Sequence, residues 1–591
     1  MRWLLGLLAA AIIAAVVAVV MVLPGDPRPV AERTPVTPSS SATGSPSATP
    51  SKIVDECGTF DTRQRVSYAV TGYWITPSTN PCTWRHQMEE IHRVGGDTVI
   101  RIGYGLQYRA VKNGRVMKNG EPDPQFAECV DNGRPCVEAA EADLAQAAPG
   151  SRINRVYAYR TDEHFGPDLF RCPKVEKIIE TGGKRVYYRL LAPSDGSDPD
   201  SCDFTRPQDY DLILIAASAK DSLTQLLELG ERFQVAVFPA LPLAPRDPDR
   251  PIRADPEHLG ALTTLTRRIL HDYGQRFRDN EWLGGVYQPF EVQMTEALKS
   301  NPTLEIFREQ HTIVQQELPD KQVLISPYID ARKRVAHGQK PGQVAQGFQA
   351  LAETGVGIIV PQDGRGTGKG ALFWPDEAGE EVDARLRPVV GETTYGSAYH
   401  GSTRDYFRAM AAVRDKLIEQ GDDVELWANV EAFEPSGREP CAAQGTRGKT
   451  DKRRLDQAVA MTGRYVQKVV SYMWSDFMTC GSPSMQDDLL TDADRPIAVD
   501  AIRQGGDTGD GLRIRAYQLE TGGTVTVTWS GGNRSMSITS VEEALEDQAE
   551  GLLEAWVPFD WGQVPAGEWV RVGVTRASGK EATEPLHVRI Q

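Results

Sequence analysis

The stretch LGGVYQPFEVQMTEALKSNPTLEIFREQHTIVQQELPDKQVLISPYID (Leu283–Asp330) decides the architecture. It opens on an apolar run, LGGVYQPFE (Leu283–Glu291), and closes on a second, VLISPYI (Val323–Ile329). Between them Asn301 stands as a helix N-cap with Pro302 behind it, the usual opening of an α-helix. Strand, helix and strand in this order read as two parallel strands joined by a helical crossover.

The same unit recurs in both directions. Upstream come YAVTGYWIT (Tyr68–Thr76), TVIRIGY (Thr98–Tyr104) and VAVFPAL (Val235–Leu241); downstream come VGIIVPQD (Val356–Asp363), VELWANVE (Val424–Glu431) and KVVSYMW (Lys468–Trp474). Helix starts fall between them at Thr83, near Asp221, at Asp255-Pro256 and at Ser402, where Asp405 completes a capping box. The runs are continuous rather than alternating, as expected of strands buried on both faces. Eight such strands with intervening helices predict an α/β fold, a closed (β/α)8 TIM barrel, over residues 53–495. An open doubly wound sheet would want a glycine-rich phosphate turn after its first strand, and Thr76-Pro77-Ser78-Thr79 is not one.

Two regions break the rhythm. Residues 106–210 hold four cysteines and many charges, and read as a large insertion after the second strand. LILIAASA (Leu212–Ala219) fits either an extra strand or the start of the next helix. From 496 to 591 short alternating runs (LRIRAYQL, TVTVTW, WVRVGVTR) between Gly-rich turns predict an antiparallel, Ig-like β-sandwich.

The chain has 591 residues, 40% hydrophobic and 25% charged, with net charge −16. Without a basic groove that charge argues against nucleic acid as a partner. Trp3–Leu23 is almost wholly apolar, with Arg2 before it. About 20 apolar residues can span a bilayer, and the flanking positive charge would stay in the cytoplasm. We expect residues 1–23 to be a retained signal anchor holding the protein on the outer face of the membrane, with a cleaved signal peptide and secretion as the alternative. Residues 24–52, rich in Pro, Ser and Thr, read as a solvated tether. Eight cysteines in an exported chain point to disulfides. Local closure favours Cys57–Cys82, Cys129–Cys136, Cys172–Cys202 and Cys441–Cys480 among the many possible pairings. No C-x-x-C or H-E-x-x-H occurs, so neither a metal nor another cofactor is expected. Oligomeric state has no signal in the sequence.

Function in such a barrel gathers at the C-terminal strand ends. Residues there include Trp74, Arg101, Tyr104, Gln288, Glu291, Tyr328, Gln362, Asp363, Trp427, Asn429, Glu431 and Trp474. Aromatic rings stack on sugar faces, and carboxylates and amides bond hydroxyls, so the expected partner is a polysaccharide or oligosaccharide. Two carboxyl groups across a glycosidic bond are the minimum machinery for cleaving it, and Glu291 and Glu431 are the natural pair. A non-catalytic carbohydrate-binding or envelope-assembly protein on the same scaffold is the alternative. Gly364–Gly370 (GRGTGKG) fails the spacing of a nucleotide-binding loop and reads as a mobile loop turning at the cleft.

GYWI, GGVYQPFE, ISPYID, VPQDGRGTGKG, LWANVEAFEP and SYMWSDFM together resemble a bacterial glycoside-hydrolase-like barrel family catalogued as domain of unknown function 4434, over about Tyr68 to Met478. More distantly the chain resembles the four–seven superfamily of retaining glycoside hydrolases. That resemblance implies Glu291 as acid/base and Glu431 as nucleophile. Phe290 stands where the superfamily has Asn, leaving Gln288 or Asn429 to supply the missing hydrogen bond.

Overall fold

In the computed structural model, residues 53–589 are described except 184, 198–201, 203, 219, 436–440, 442–446, 507–508 and 545–548. The apolar segment 1–23 and the tether 24–52 lie outside the described residues, and with them the expected anchor. Among the described residues no helix is long and apolar enough to cross a membrane.

Eight parallel strands form the core: β1 (Gly72–Ile75), β2 (Thr98–Arg101), β3 (Ala236–Pro239), β4 (Gly285–Gln288), β5 (Gln322–Ile325), β6 (Ile358–Ile359), β7 (Glu425–Glu431) and β8 (Lys468–Tyr472). Their order is β3-β2-β1-β8-β7-β6-β5-β4. Parallel bridges Val237–Leu283 and Ala240–Tyr287 join the two ends and close the barrel. A helix follows each strand: α1 (Pro81–Arg93), α2 (Ser222–Phe233), α3 (Leu259–Phe277), α4 (Thr303–Glu317), α5 (Pro341–Ala352), α6 (Thr403–Glu419), α7 (Lys452–Thr462) and α8 (Met485–Asp492). The first helix begins at Pro81 behind Asn80 rather than at Thr83, and three others are capped where the sequence puts them. Asp221 accepts from Leu223 N, Asn301 from Thr303 N, and Ser402 with Asp405 forms the capping box.

Strands are shorter than the apolar runs that announce them. LGGVYQPFE contributes only Gly285–Gln288, because Pro289 has no N–H for the ladder and the chain leaves the sheet there. The freed ends build the loops at the barrel mouth.

Between β2 and α2 the insertion forms its own five-stranded sheet, ordered Lys177–Glu180, Arg185–Pro193, Asp209–Ser218, Arg152–Thr161, Gln107–Arg109. The ambiguous run LILIAASA lies largely in its central strand, and Tyr210–Ala217 is buried throughout, since both faces are covered. The insertion's sheet therefore runs on to Ser218. At the C-terminus two four-stranded antiparallel sheets pack as a sandwich. Leu512 and Ile514 of one sheet and Val525, Val527, Val570 and Val572 of the other are fully buried in a core continuous with the helix layer. His587 Nδ1 lies 2.8 Å from Asp376, and Thr583 Oγ1 donates to Asp456 at 2.9 Å, docking the sandwich on the barrel.

The structure contains four disulfides: Cys57–Cys82, Cys129–Cys136, Cys172–Cys202 and Cys441–Cys480. They suit a protein that folds outside the reducing cytoplasm.

Arg101, at the end of β2, ties the insertion to the barrel. Its guanidinium reaches Asp162 (3.2 Å), Ser222 Oγ (3.0 Å) and Glu163, all buried. Removing one partner of such a group strands the others without counter-charge. Arg101→Ala is expected to cost on the order of 3–5 kcal/mol, read as a lower urea midpoint; an unchanged midpoint would show the tie to be idle.

Candidate active site

Side chains alternate along a strand, so every second residue of each barrel strand points inward. On β7 the inward set is Trp427, Asn429 and Glu431, from the lower end of the barrel to its mouth. Trp427 packs low in the interior, where its indole N–H donates to Glu425 at 2.7 Å and the Lys468 ammonium sits 5.5 Å from its ring. Asn429 is 2% exposed; its amide N–H meets Ser326 Oγ at 3.4 Å, and its Oδ1 has no partner among the described groups. Glu431 is the top residue.

Glu431 is held by the glycine loop after β6. Thr367 N donates to its Oε2 at 3.0 Å. That approach requires Gly366, where a Cβ would fall 2.8 Å from the Glu431 Cβ and 2.7 Å from the Phe433 ring. Gly364 turns the chain at φ +69°. The loop is thus closely packed against the strand end rather than loose, with Gly364, Gly366, Gly368 and Gly370 all buried.

Asp363 lies beside Glu431. Its Oδ1 accepts from Arg365 N (3.0 Å) and from Glu431 N (3.4 Å), while its Oδ2 is buried and unpartnered. Burial raises both carboxyls, Asp363 to about 7 and Glu431 to about 8, with the Asp363 charge adding to the Glu431 shift. Two buried carboxyls this close hold protons well above the ordinary carboxylate range.

Opposite stands Glu291, beyond the end of β4. It stands on the loop that leaves the sheet at Pro289, and Gln362 Nε2 donates to it at 3.0 Å. Burial, and then the Glu291 charge, raise the hydroxyls of Tyr287 and Tyr328. Glu291, Tyr328, Gln362, Asn429, Glu431 and Tyr472 line one cleft of about 440 Å³ at the barrel mouth. That volume lies in the usual range for small-ligand sites. Arg246, Ile252, Thr367, Lys369, Phe433 and Arg447 complete its wall.

The other expected site residues lie elsewhere, mostly for reasons of parity. Gln288 points outward into the helix layer, where Gln310 accepts its amide at 2.8 Å. Arg101 also points outward, into the insertion. Trp74 is inward but 2% exposed, packed edge-on to Tyr287 at 6.1 Å beneath Tyr472. Trp427 fills the lower interior. Trp474 leaves the inward row, donates to Glu90 on α1 at 3.0 Å and packs edge-on to Tyr73. These rings are buried in the barrel packing and are not among the residues lining the cleft. Tyr104 lines a separate cavity of about 660 Å³ against the insertion, with Arg160, Asp162 and Lys220. Asp363 sits behind Glu431 and not on the cleft wall. Phe290 is buried under Arg246, which leaves Asn429 and Gln362 as the amides facing the cleft. Among the described residues no group of three or more His, Cys, Asp or Glu side chains is disposed to hold a metal ion.

Sequence reasoning missed Arg246, Lys369 and Arg447. Their signal was position: each lies on a loop leaving a strand end, after β3, β6 and β7 respectively.

Residues 202–487 match the family described as Domain of unknown function (DUF4434), and residues 117–217 match Domain of unknown function (DUF8405). The first match is the family that the motifs resemble, although it starts at residue 202 rather than near Tyr68. The second falls on the insertion. No curated protein matches this chain. Among solved structures the chain is similar to a putative α-L-fucosidase from Bacteroides thetaiotaomicron VPI-5482, at 13% identity over 72% of this chain and 91% of that one, with TM-score 0.37. It is also similar to an endo-β-1,4-mannanase from Thermotoga petrophila (10%, 89% and 98%, TM-score 0.32) and to a glycoside hydrolase family 5 protein from Bacteroides vulgatus ATCC 8482 (7%, 85% and 93%, TM-score 0.33).

The raised carboxyls predict a pH effect on stability. At about pH 5–7 folded Asp363 and Glu431 retain protons that the unfolded chain, with ordinary values of 3.8 and 4.5, has lost. The folded state then binds more protons, so stability falls as pH rises. Glu431→Gln is expected to remove on the order of 2 kcal/mol of that fall between about pH 5 and about pH 7, measured by urea titration at each pH. Equal pH slopes for the two proteins would contradict the placement of these protons.

Proposed function

We propose that the cleft binds and cleaves a glycosidic bond in an extracellular or cell-envelope polysaccharide, as a retaining glycoside hydrolase or transglycosidase, with Glu291 and Glu431 as the working carboxyls. One observation carries the reading: these two residues, one beyond the end of β4 and one at the end of β7, line the same cleft, together with Gln362, Asn429 and Tyr328. Such a reaction needs one carboxyl that holds a proton for the leaving oxygen and one that attacks or activates water. Asn429 Oδ1 offers a buried acceptor to a sugar hydroxyl, filling the role that Phe290 leaves open.

The resting proton refines the roles. Strand order alone implies Glu431 as nucleophile. Burial and the neighbouring Asp363 instead favour the protonated form of Glu431 up to about pH 8. We therefore assign the proton-donating step to Glu431 and the attack to Glu291, whose carboxyl is held by the Gln362 amide. Four disulfides support a site of action outside the cytoplasm, and the N-terminal apolar segment supports retention at the membrane surface.

A panel of polysaccharides incubated with the full-length protein, wild type beside Glu291→Gln and Glu431→Gln, tests this. Reducing-end release should fall by about 10²-fold or more in both variants while binding persists. Trapping with a 2-fluoro glycoside should label Glu291. Release indifferent to both substitutions defeats the reading; binding without release by the wild type favours the non-catalytic carbohydrate binder.

A further inference from the structure

The charges around the cleft do not match those of the chain. The protein carries a net charge of −16, yet its cleft wall holds Arg246, Lys369 and Arg447 against only Glu291 and Glu431 among the described residues. Raised protonation of Glu431 tilts that balance further toward positive.

Each of these cations lies against an aromatic ring. The Arg246 guanidinium lies 4.9 Å from the Phe290 ring, the Lys369 ammonium 4.1 Å from the Tyr328 ring, and the Arg447 guanidinium 4.5 Å from the Phe433 ring. Rings also meet cations elsewhere, as Lys452 meets Tyr68 and Arg404 meets Trp374, but there each cation also pairs with a carboxylate, Asp456 at 2.8 Å and Asp500 at 3.3 Å. An aromatic face orients a cation without neutralising it. Arg246 has a carbonyl partner, Pro251 O at 2.6 Å, and neither it nor Lys369 has an ion pair among the described residues. Three cations thus reach one cleft from three separate loops, and two of them, the exposed Arg246 and the half-buried Lys369, touch no carboxylate among the described residues.

We infer that the saccharide taken by this cleft carries oxyanion substituents, carboxylate or sulfate, that Arg246 and Lys369 engage beside the Glu291–Glu431 pair. The inference rests on the reading of the cleft as a saccharide site and specifies its substrate class. Arginine offers a planar fork that fits carboxylate or sulfate in bidentate fashion, and lysine adds a point charge. The cleft cations would offset the repulsion that an acidic polymer meets from the rest of the surface.

Calorimetry on the full-length protein tests this with matched pairs: polygalacturonate beside its methyl ester, and dextran sulfate beside dextran. Binding of at least one acidic member should be tenfold or more tighter than that of its neutral partner and should weaken with added salt. Lys369→Gln and Arg246→Gln should each weaken binding of the acidic member about tenfold more than that of the neutral one, while Lys369→Arg retains binding. Which acidic polymer binds separates carboxylate from sulfate. Equal binding within both pairs, or acidic binding indifferent to both glutamine variants, overturns the inference. Cleavage of neutral glycans together with acidic binding indifferent to both glutamine variants sinks the inference and leaves the hydrolase standing. Acidic binding lost in the variants, with no bond ever cleaved, does the opposite.

Discussion

Everything at the mouth of this barrel depends on the two-residue alternation of its strands. A closed parallel sheet leaves each side chain one of two environments, the interior or the helix layer. On β7 the alternation stacks Trp427, Asn429 and Glu431 in one inward row, so the strand that packs the lower interior also delivers a carboxyl to the cleft. On β4 it sends Tyr287 inward and Gln288 outward to Gln310. Past Pro289 the chain has left the sheet, and Glu291 reaches the cleft it shares with Glu431 from the loop that follows.

A second constraint acts on that frame. Glu431 is nearly buried, and a buried carboxyl is tolerable only if it keeps its proton or gains partners. The glycine loop supplies one partner, Thr367 N, by lying against the strand end where no Cβ would fit. Asp363 supplies the opposite pressure, a second carboxyl that discourages ionisation. The next acid along, Glu434, is settled in the conventional way, ion-paired to Arg365 and Arg385 at 2.8 and 3.0 Å and bonded by Thr450. Within four residues the chain therefore presents one neutralised structural acid and one proton-holding acid at the cleft.

Much of the barrel was legible in the sequence, because strands buried on both faces appear as unbroken apolar runs and because Asp255, Asn301 and Ser402 mark helix starts. The same unbroken runs hide which residues face inward. That is why the sequence leaves Trp74, Trp427 and Trp474 open between sugar platforms and packing, where the structure buries them away from the cleft lining, and why Gln288 read as a ligand contact. LILIAASA was ambiguous for a related reason: a run covered on both faces has no period to tell strand from helix. Arg246 and Lys369 escaped notice because charged loop residues ordinarily face solvent, and only the fold brings their loops around one cavity. Glu291 and Glu431 were legible because each ends a strand run in a carboxylate.

The most direct test of the central claim, that Glu291 and Glu431 act on one bound saccharide, is a crystal structure of the protein with an oligosaccharide bound. The account predicts a sugar in the cleft with the two carboxyl groups about 5–5.5 Å apart across a glycosidic bond. A sugar seated in the cavity beside Tyr104 instead, or carboxyls more than about 10 Å apart around the bound sugar, would contradict it.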